Sequence, residues 1–150
     1  MKADITIRQA HEQDLLAMQL LLMQLFSIEQ DFHSDPQRQD EGLRLLIESP
    51  QSGLFVAERS GRVVGMATLQ ILISTAEGGA VGLVEDVVVD EAERGRGIGR
   101  LLLQYLQHWA EQRGLRRLQL LADIDNRPAL AFYKGQGWSD TCLVALKKLL

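Results

Sequence analysis

A chain of 150 residues with 46% hydrophobic and 24% charged side chains fits one soluble domain whose core is large enough to fold alone. Its formal charge of −4 argues against a general nucleic-acid binder, because neutralising phosphates needs a basic face. A single cysteine, Cys142, leaves no partner for an internal disulfide and makes a reducing compartment the expectation.

In chain order, "ITIRQA" alternates and predicts a first strand. His11 to Phe26 then carries apolar residues on nearly every side, which predicts a helix covered on more than one face and raises the possibility of a homodimer. Its most apolar part, Leu15 to Phe26, is too short for a membrane span and is interrupted by Gln19 and Gln24. Glu12 and Asp14 precede it in place of a basic region, so a signal peptide is not expected and the reading is a cytoplasmic protein without a membrane partner. The polar stretch "SIEQDFHSDPQRQDE" leads into a second helical pattern from about Gln37 to Glu48.

"LFVAERSGRVVGMATLQILIST" predicts two strands joined by a turn at Ser60-Gly61, antiparallel because so short a connection makes no crossover. "AEGGA" turns into a strand from Val81 to Val89. Beyond a glycine-rich segment, Ile98, Leu102, Tyr105 and Trp109 recur at helical spacing opposite Arg100, Gln104, Gln107 and Glu111. Gly114 ends that helix, and Arg116 to Leu121 begins the next strand, parallel to Val81–Val89 because a helix lies between them. "NRPALAFYKGQGW" predicts a shorter helix and "TCLVALKKLL" a last strand. The order β-α-α-β-β-β-α-β-α-β places the chain in the α/β (α+β) class, with a mixed sheet flanked by helices.

The segment "ERGRGIGR", Glu93 to Arg100, stands where a strand gives way to a long helix. A helix N-terminus carries unsatisfied N–H groups and the positive end of the helix dipole, which together favour an anion. Gly95, Gly97 and Gly99 let the backbone approach that anion closely, and Arg94, Arg96 and Arg100 surround it with positive charge. These residues describe a phosphate or pyrophosphate cradle; the bland alternative is a tight turn with a solvated basic rim. A P-loop is excluded because no Lys-Ser or Lys-Thr pair follows, and a dinucleotide fingerprint fails because Arg100 occupies the third glycine's place.

"VEDVVVDEAERGRGIGRLLL" resembles the acyl-coenzyme A signature of the GNAT superfamily of N-acetyltransferases, Arg/Gln-x-x-Gly-x-Gly/Ala, with Arg94, Gly97 and Gly99 in its three defining places. "NRPALAFYKGQGW" is similar to a second signature of that family, with Asn126, Tyr133, Gly137 and Trp138 in the matching positions. The two motifs cover Val81 to Trp138, and the predicted element order extends the likeness over nearly all of residues 1–150 as a single acyl-coenzyme A N-acyltransferase domain. The resemblance implies a GNAT-like, mostly antiparallel sheet with a central parallel, splayed strand pair. It implies acetyl-coenzyme A as co-substrate, bound by Val87, Val88, Val89, Arg94, Gly95, Arg96, Gly97, Ile98, Gly99, Arg100, Asn126 and Tyr133. Two departures stand out. Gly135 and Gln136 replace residue types commoner at that helix end, and Asp90, Glu91 and Glu93 would repel a pyrophosphate unless they point away from it.

Acetyl transfer to an amine needs a neutral amine, a stabilised oxyanion and a protonated leaving thiolate. A lysine-like amine with pKa about 10.4 is neutral about once in 2,500 molecules at pH 7, a cost of about 4.6 kcal/mol that a positioned base relieves in part. Glu85 is the candidate base, since the resemblance implies that its strand runs along the acyl chain. Asp86, its neighbour, is expected on the opposite face of an extended strand. Either acid has a structural alternative as a hydrogen-bond acceptor. By resemblance the pantetheine arm pairs with the backbone of Val87 to Val89, one N–H there faces the thioester oxygen, and Val87 and Val89 keep the site dry. Tyr133 would give its phenolic proton to the thiolate; its alternative is a core aromatic. Asn126 would cap its helix, bind the cofactor, or both.

The alternating Asp31, His33 and Asp35 lack a second ligand cluster, so no metal is expected. By resemblance the N-terminal helical pair shapes the acceptor pocket. Its Glu29, Asp31, Asp35, Asp40 and Glu41 beside Phe26 and Phe32 would suit a cationic small-molecule or peptide amine, or serve solubility alone. The rival function is a non-catalytic acyl-coenzyme A sensor, which would keep the cradle and have no need of Tyr133 and Glu85.

Overall fold

The computed structural model describes residues 5–28 and 35–150. Internal contacts divide the chain into two compact units, Met1–Leu120 and Leu121–Leu150.

The first unit contains β1 (Ile5–Gln9), a 3-10 turn at Glu12–Asp14, α1 (Leu15–Ile28) and α2 (Pro36–Glu48), followed by β2 (Ser52–Arg59), β3 (Arg62–Ser74) and β4 (Gly79–Val89). A second 3-10 turn at Glu91–Glu93 leads into α3 (Ile98–Gln112), and β5 (Leu118–Leu120) closes the unit. Local chemistry sets these boundaries. The Asp35 side chain accepts from the Arg38 N–H at 3.2 Å with Pro36 in the first turn, so α2 starts there. Ser60 and Gly61 both take positive φ, 52° and 75°, the geometry that lets a two-residue turn follow the twist of β2 and β3.

The strands lie in the order β1-β2-β3-β4-β5, with antiparallel neighbours except for the parallel pair β4 and β5. The mixed, mostly antiparallel sheet is the expected fold class. Alternation along the strands gives the sheet two apolar faces. On one, Leu54, Val56, Met66 and Val88 pack with Leu15, Met18, Leu21 and Leu22 of α1 and Leu43 of α2. On the other, Phe55 meets Tyr105 and Trp109 of α3 edge-on, with ring centroids 5.5 and 5.4 Å apart, while Ile98 and Leu102 close over Gly65. α1 leaves Leu16, Leu20 and Met23 exposed, so within the described residues it is covered on one side, by sheet and α2, despite its all-round apolar pattern. No described helix is long and apolar enough to cross a membrane.

The second unit holds α4 (Arg127–Gly135), and its residues 139–150 form no helix or strand. The last strand expected at "TCLVALKKLL" is therefore not formed. A strand needs a ladder and a buried face, and here Leu143, Val144, Leu146, Leu149 and Leu150 are all exposed. As a result, the parallel pair lies at one end of the described strand order.

Candidate active site

The register of β3 and β4 slips at one point. Ala67 faces Val87 and Leu69 faces Val84, so Thr68 alone stands opposite two residues, Glu85 and Asp86. This is a β-bulge, and it re-aims side chains. Thr68 Oγ1 donates to Asp86 Oδ2 at 3.1 Å and accepts from the Asp86 N–H at 3.2 Å, while Gln70 Nε2 donates to Glu85 Oε2 at 3.1 Å. Thr68 and Gln70 are two apart on β3 and share one face, so both acids are drawn to that face, the one that α1 and α2 cover. The expectation that Asp86 points away from Glu85 is thus corrected: strict alternation fails where one strand carries an extra residue. Glu85 is exposed and Asp86 half-buried.

Beyond the bulge β4 presents an open edge. β5 pairs only with Gly82, Leu83 and Val84, and no described strand continues that ladder. The Asp90 N–H bonds Val64 O at 2.8 Å, which fixes the alternation of the β3–β4 ladder. Val88, in step with Asp90, bonds toward β3, whereas Val87 and Val89 turn their N–H and C=O groups toward the open edge. Val88 lies in the core; Val87 and Val89 are half-buried.

The glycine segment follows directly. Gly95 and Gly97 have φ of 78° and 81°, and Gly97 is the N-cap of α3 with no side chain to satisfy the first turn. The first backbone bond into the helix runs from the Leu101 N–H to Gly97 O at 3.2 Å, so the N–H groups of Ile98, Gly99 and Arg100 have no helical acceptor. Ile98 is buried and anchors the turn, and no heavy atom lies within 4 Å of where a Gly95 Cβ would stand. Bare donors, open approach and nearby guanidiniums suit a pyrophosphate.

Arginines answer the acids beside this loop. Glu93 Oε2 lies 2.6 Å from Arg59 Nη1 and 3.3 Å from Arg96 Nε, and Glu93 Oε1 lies 3.8 Å from Arg62 Nη2. Arg62 Nη2 also stands 3.7 Å from Asp90 Oδ2, while Asp90 Oδ1 accepts from the Ala92 N–H at 3.0 Å. The Glu91 N–H donates to Gln24 Oε1 of α1 at 3.1 Å, and Arg94 Nε folds back to Val89 O at 3.0 Å, bracing the loop against the end of β4. Thr68, Gln70 and Arg59 were not identified from sequence. The first two showed only as polar residues inside an apolar strand, and nothing local marks Arg59.

In the second unit, Asn126 Oδ1 accepts from the Ala129 N–H at 3.3 Å with Pro128 in the first turn, which is the capping role. Tyr133 is half-buried, its ring centroid 5.3 Å from that of Phe132 and 6.0 Å from that of Trp138. α4 ends at Gly135, with Gln136 as its C-cap and Gly137 at φ 93°.

The acidic region assigned to an acceptor is in part engaged locally. Asp40 pairs with Arg44 at 2.9 Å, Asp35 lies 3.6 Å from Arg38, and Glu41 accepts from Gln37 at 3.1 Å. Glu29, Asp31, Phe32 and His33 lie outside the described residues. Among the described residues no group of His, Cys, Asp and Glu is arranged to hold a metal ion.

A profile described as the acetyltransferase (GNAT) family matches residues 22–138. An uncharacterized N-acetyltransferase of Methanocaldococcus jannaschii is 33% identical over 96 residues, 63% of this chain and 42% of that protein. The aminoalkylphosphonate N-acetyltransferase of Salmonella typhimurium is 27% identical over 135 residues, 90% of this chain and 85% of that protein. The alignments thus span less than half of some curated relatives and most of others. Among solved structures, an aminoglycoside N-acetyltransferase in complex with CoA superposes with a TM-score of 0.85 over 99% of this chain and 97% of its own, at 18% identity.

Proposed function

The chain belongs to the acetyltransferase (GNAT) family, and on that premise we propose that residues 1–150 act as one domain that moves an acetyl group from acetyl-coenzyme A to a primary amine by direct attack in a ternary complex. The family carries out acetyl transfer to amines in general. The observation that carries the finer reading is the succession of a β4 edge at Val87 and Val89 that no described strand pairs and, a few residues on, the N–H groups without a helical acceptor at the mouth of α3.

In this reading the N–H groups from Gly95 to Arg100, with Arg96 and Arg100, hold the pyrophosphate. The backbone of Val87 to Val89 pairs with the pantetheine arm, and a β4 N–H polarises the thioester carbonyl and stabilises the developing oxyanion. Glu85, exposed on the α1/α2 face and held lightly by Gln70, takes the proton that the amine sheds, directly or through water. Tyr133 returns a proton to the departing thiolate, a role resting on the motif match at Asn126, Tyr133, Gly137 and Trp138. Asn126 serves as helix cap, whether or not it also touches the cofactor. The acceptor is read as a small-molecule amine, following the names of the Salmonella relative and the aminoglycoside-modifying neighbour.

An amine-library screen that detects free coenzyme A thiol, run on the parent and Tyr133→Phe, tests the proposal. Release by the parent and its loss in the variant support it. Equal release by both removes Tyr133 from the mechanism. Tight cofactor binding without release by either protein replaces the enzyme reading with the sensor.

A further inference from the structure

The segment Asp90 to Arg100 holds three carboxylates, Asp90, Glu91 and Glu93, against three guanidiniums, Arg94, Arg96 and Arg100. Taken alone it has no net charge with which to attract a pyrophosphate. The positive excess comes from elsewhere in the fold: Arg59 ends β2 and Arg62 begins β3, and the hairpin turn delivers both to the acids of the loop. Arg59 makes the closest contact, 2.6 Å to Glu93 Oε2, with side chains 24% and 13% exposed. Arg96, with a side chain 51% exposed, reaches the same oxygen at 3.3 Å. Glu93 and a bound anion therefore compete for Arg96.

We propose that Arg59 is a positioning residue for cofactor binding: by occupying the Glu93 carboxylate it leaves Arg96 available to the cofactor's phosphates. The inference rests on the reading of the glycine loop as a coenzyme A site. It has a sign that a merely structural pair lacks. Neutralising Arg59 hands Glu93 wholly to Arg96 and Arg62 and lowers the positive potential at the mouth of α3. Neutralising Glu93 removes the competitor. If the pair only pinned the loop to the hairpin, losing either partner would weaken binding alike.

Calorimetric titration of coenzyme A into the parent, Arg59→Gln, Glu93→Gln and the double variant, with Tm recorded for each, tests this. Expected are about 5-fold weaker binding for Arg59→Gln at low salt and binding at least as tight as the parent's for Glu93→Gln. The double variant should return to within about 2-fold of the parent, and the Arg59→Gln deficit should shrink at about 0.5 M salt. Weakening by Glu93→Gln, or an unchanged Arg59→Gln, overturns the proposal. Should Arg59→Gln fail to fold, Glu93→Gln decides alone, and weaker binding sinks it. A parent that ignores coenzyme A overturns the site reading itself, and this inference with it.

Discussion

Thr68 and Asp86 exchange two hydrogen bonds across β3 and β4, hydroxyl to carboxylate at 3.1 Å and N–H to hydroxyl at 3.2 Å, at the point where β4 carries one residue more than its partner. The hydroxyl gives the Asp86 N–H an acceptor within the bulge, at a site where Thr68 is only 1% exposed. Thr68→Val keeps the shape and removes the hydroxyl, leaving the Asp86 N–H short of that acceptor. The expected loss is about 1–3 kcal/mol in urea unfolding, with Thr68→Ser close to the parent. A Val variant as stable as the parent would mean that the bulge is held by other contacts.

Gly97 caps α3 at φ 81°, and an added Cβ would meet only Arg100 Nη2, at 4.0 Å. Space is therefore no obstacle, and the cost of Gly97→Ala is conformational, about 1–2 kcal/mol. Gly42, inside α2 and also with open space around it, carries no such constraint, so Gly42→Ala should stabilise by about 0.5–1 kcal/mol. Melting curves of the two variants should shift in opposite directions. Coenzyme A affinity should fall for Gly97→Ala and stay constant for Gly42→Ala; shifts of the same sign would show that backbone conformation is not what fixes Gly97.

What the sequence made legible was local. Arg94, Gly97 and Gly99 sit within six residues, so the proposed cradle is written in one contiguous stretch of the chain. Ser60-Gly61 fixed the β2–β3 pairing for the same reason. The bulge depends on the register between Ala67 and Leu69 of one strand and Val84 and Val87 of another, which no single-strand pattern encodes, so strict alternation puts Asp86 on the wrong face. The Arg59–Glu93 pair joins residues 34 apart and has no periodic signature. Residues 141–150 have the composition of a strand, but composition does not supply a partner to pair with.

Arg8 grips Asp14 with both terminal nitrogens, at 2.7 and 3.0 Å, and also reaches Glu58 at 2.8 Å, tying β1, β2 and the turn before α1 together. The hydrogen bonds from Arg8, reinforced by the His11 N–H at 2.7 Å, hold the Asp14 carboxyl below the usual aspartate range and outweigh the opposing effect of burial. A depressed folded-state pKa contributes stability that is fully present above the unfolded value, about 3.9, and is lost as pH falls through the folded pKa. Asp14→Asn should therefore cost about 1–2 kcal/mol at pH 7, with the gap to the parent closing as the pH drops below about 4. Urea midpoints at pH 7 and pH 3 check both parts, and a gap that persists undiminished at pH 3 would remove charge from the explanation.

The bulge brings Glu85 and Asp86 to one face but holds them differently. Asp86 is half-buried and bonded to Thr68 through both its backbone and its carboxylate, whereas Glu85 is exposed and meets Gln70 through one hydrogen bond. A group that must reach a substrate amine, or the water beside it, needs the looser attachment, and a carboxylate that organises the strand needs the tighter one. Glu85→Gln should accordingly lower kcat/KM by about 100-fold with the unfolding midpoint unchanged. Asp86→Asn should instead lower the midpoint and leave kcat/KM within about 3-fold of the parent. If Asp86→Asn costs the activity and Glu85→Gln retains it, the two residues exchange roles and the more firmly held carboxylate is the base.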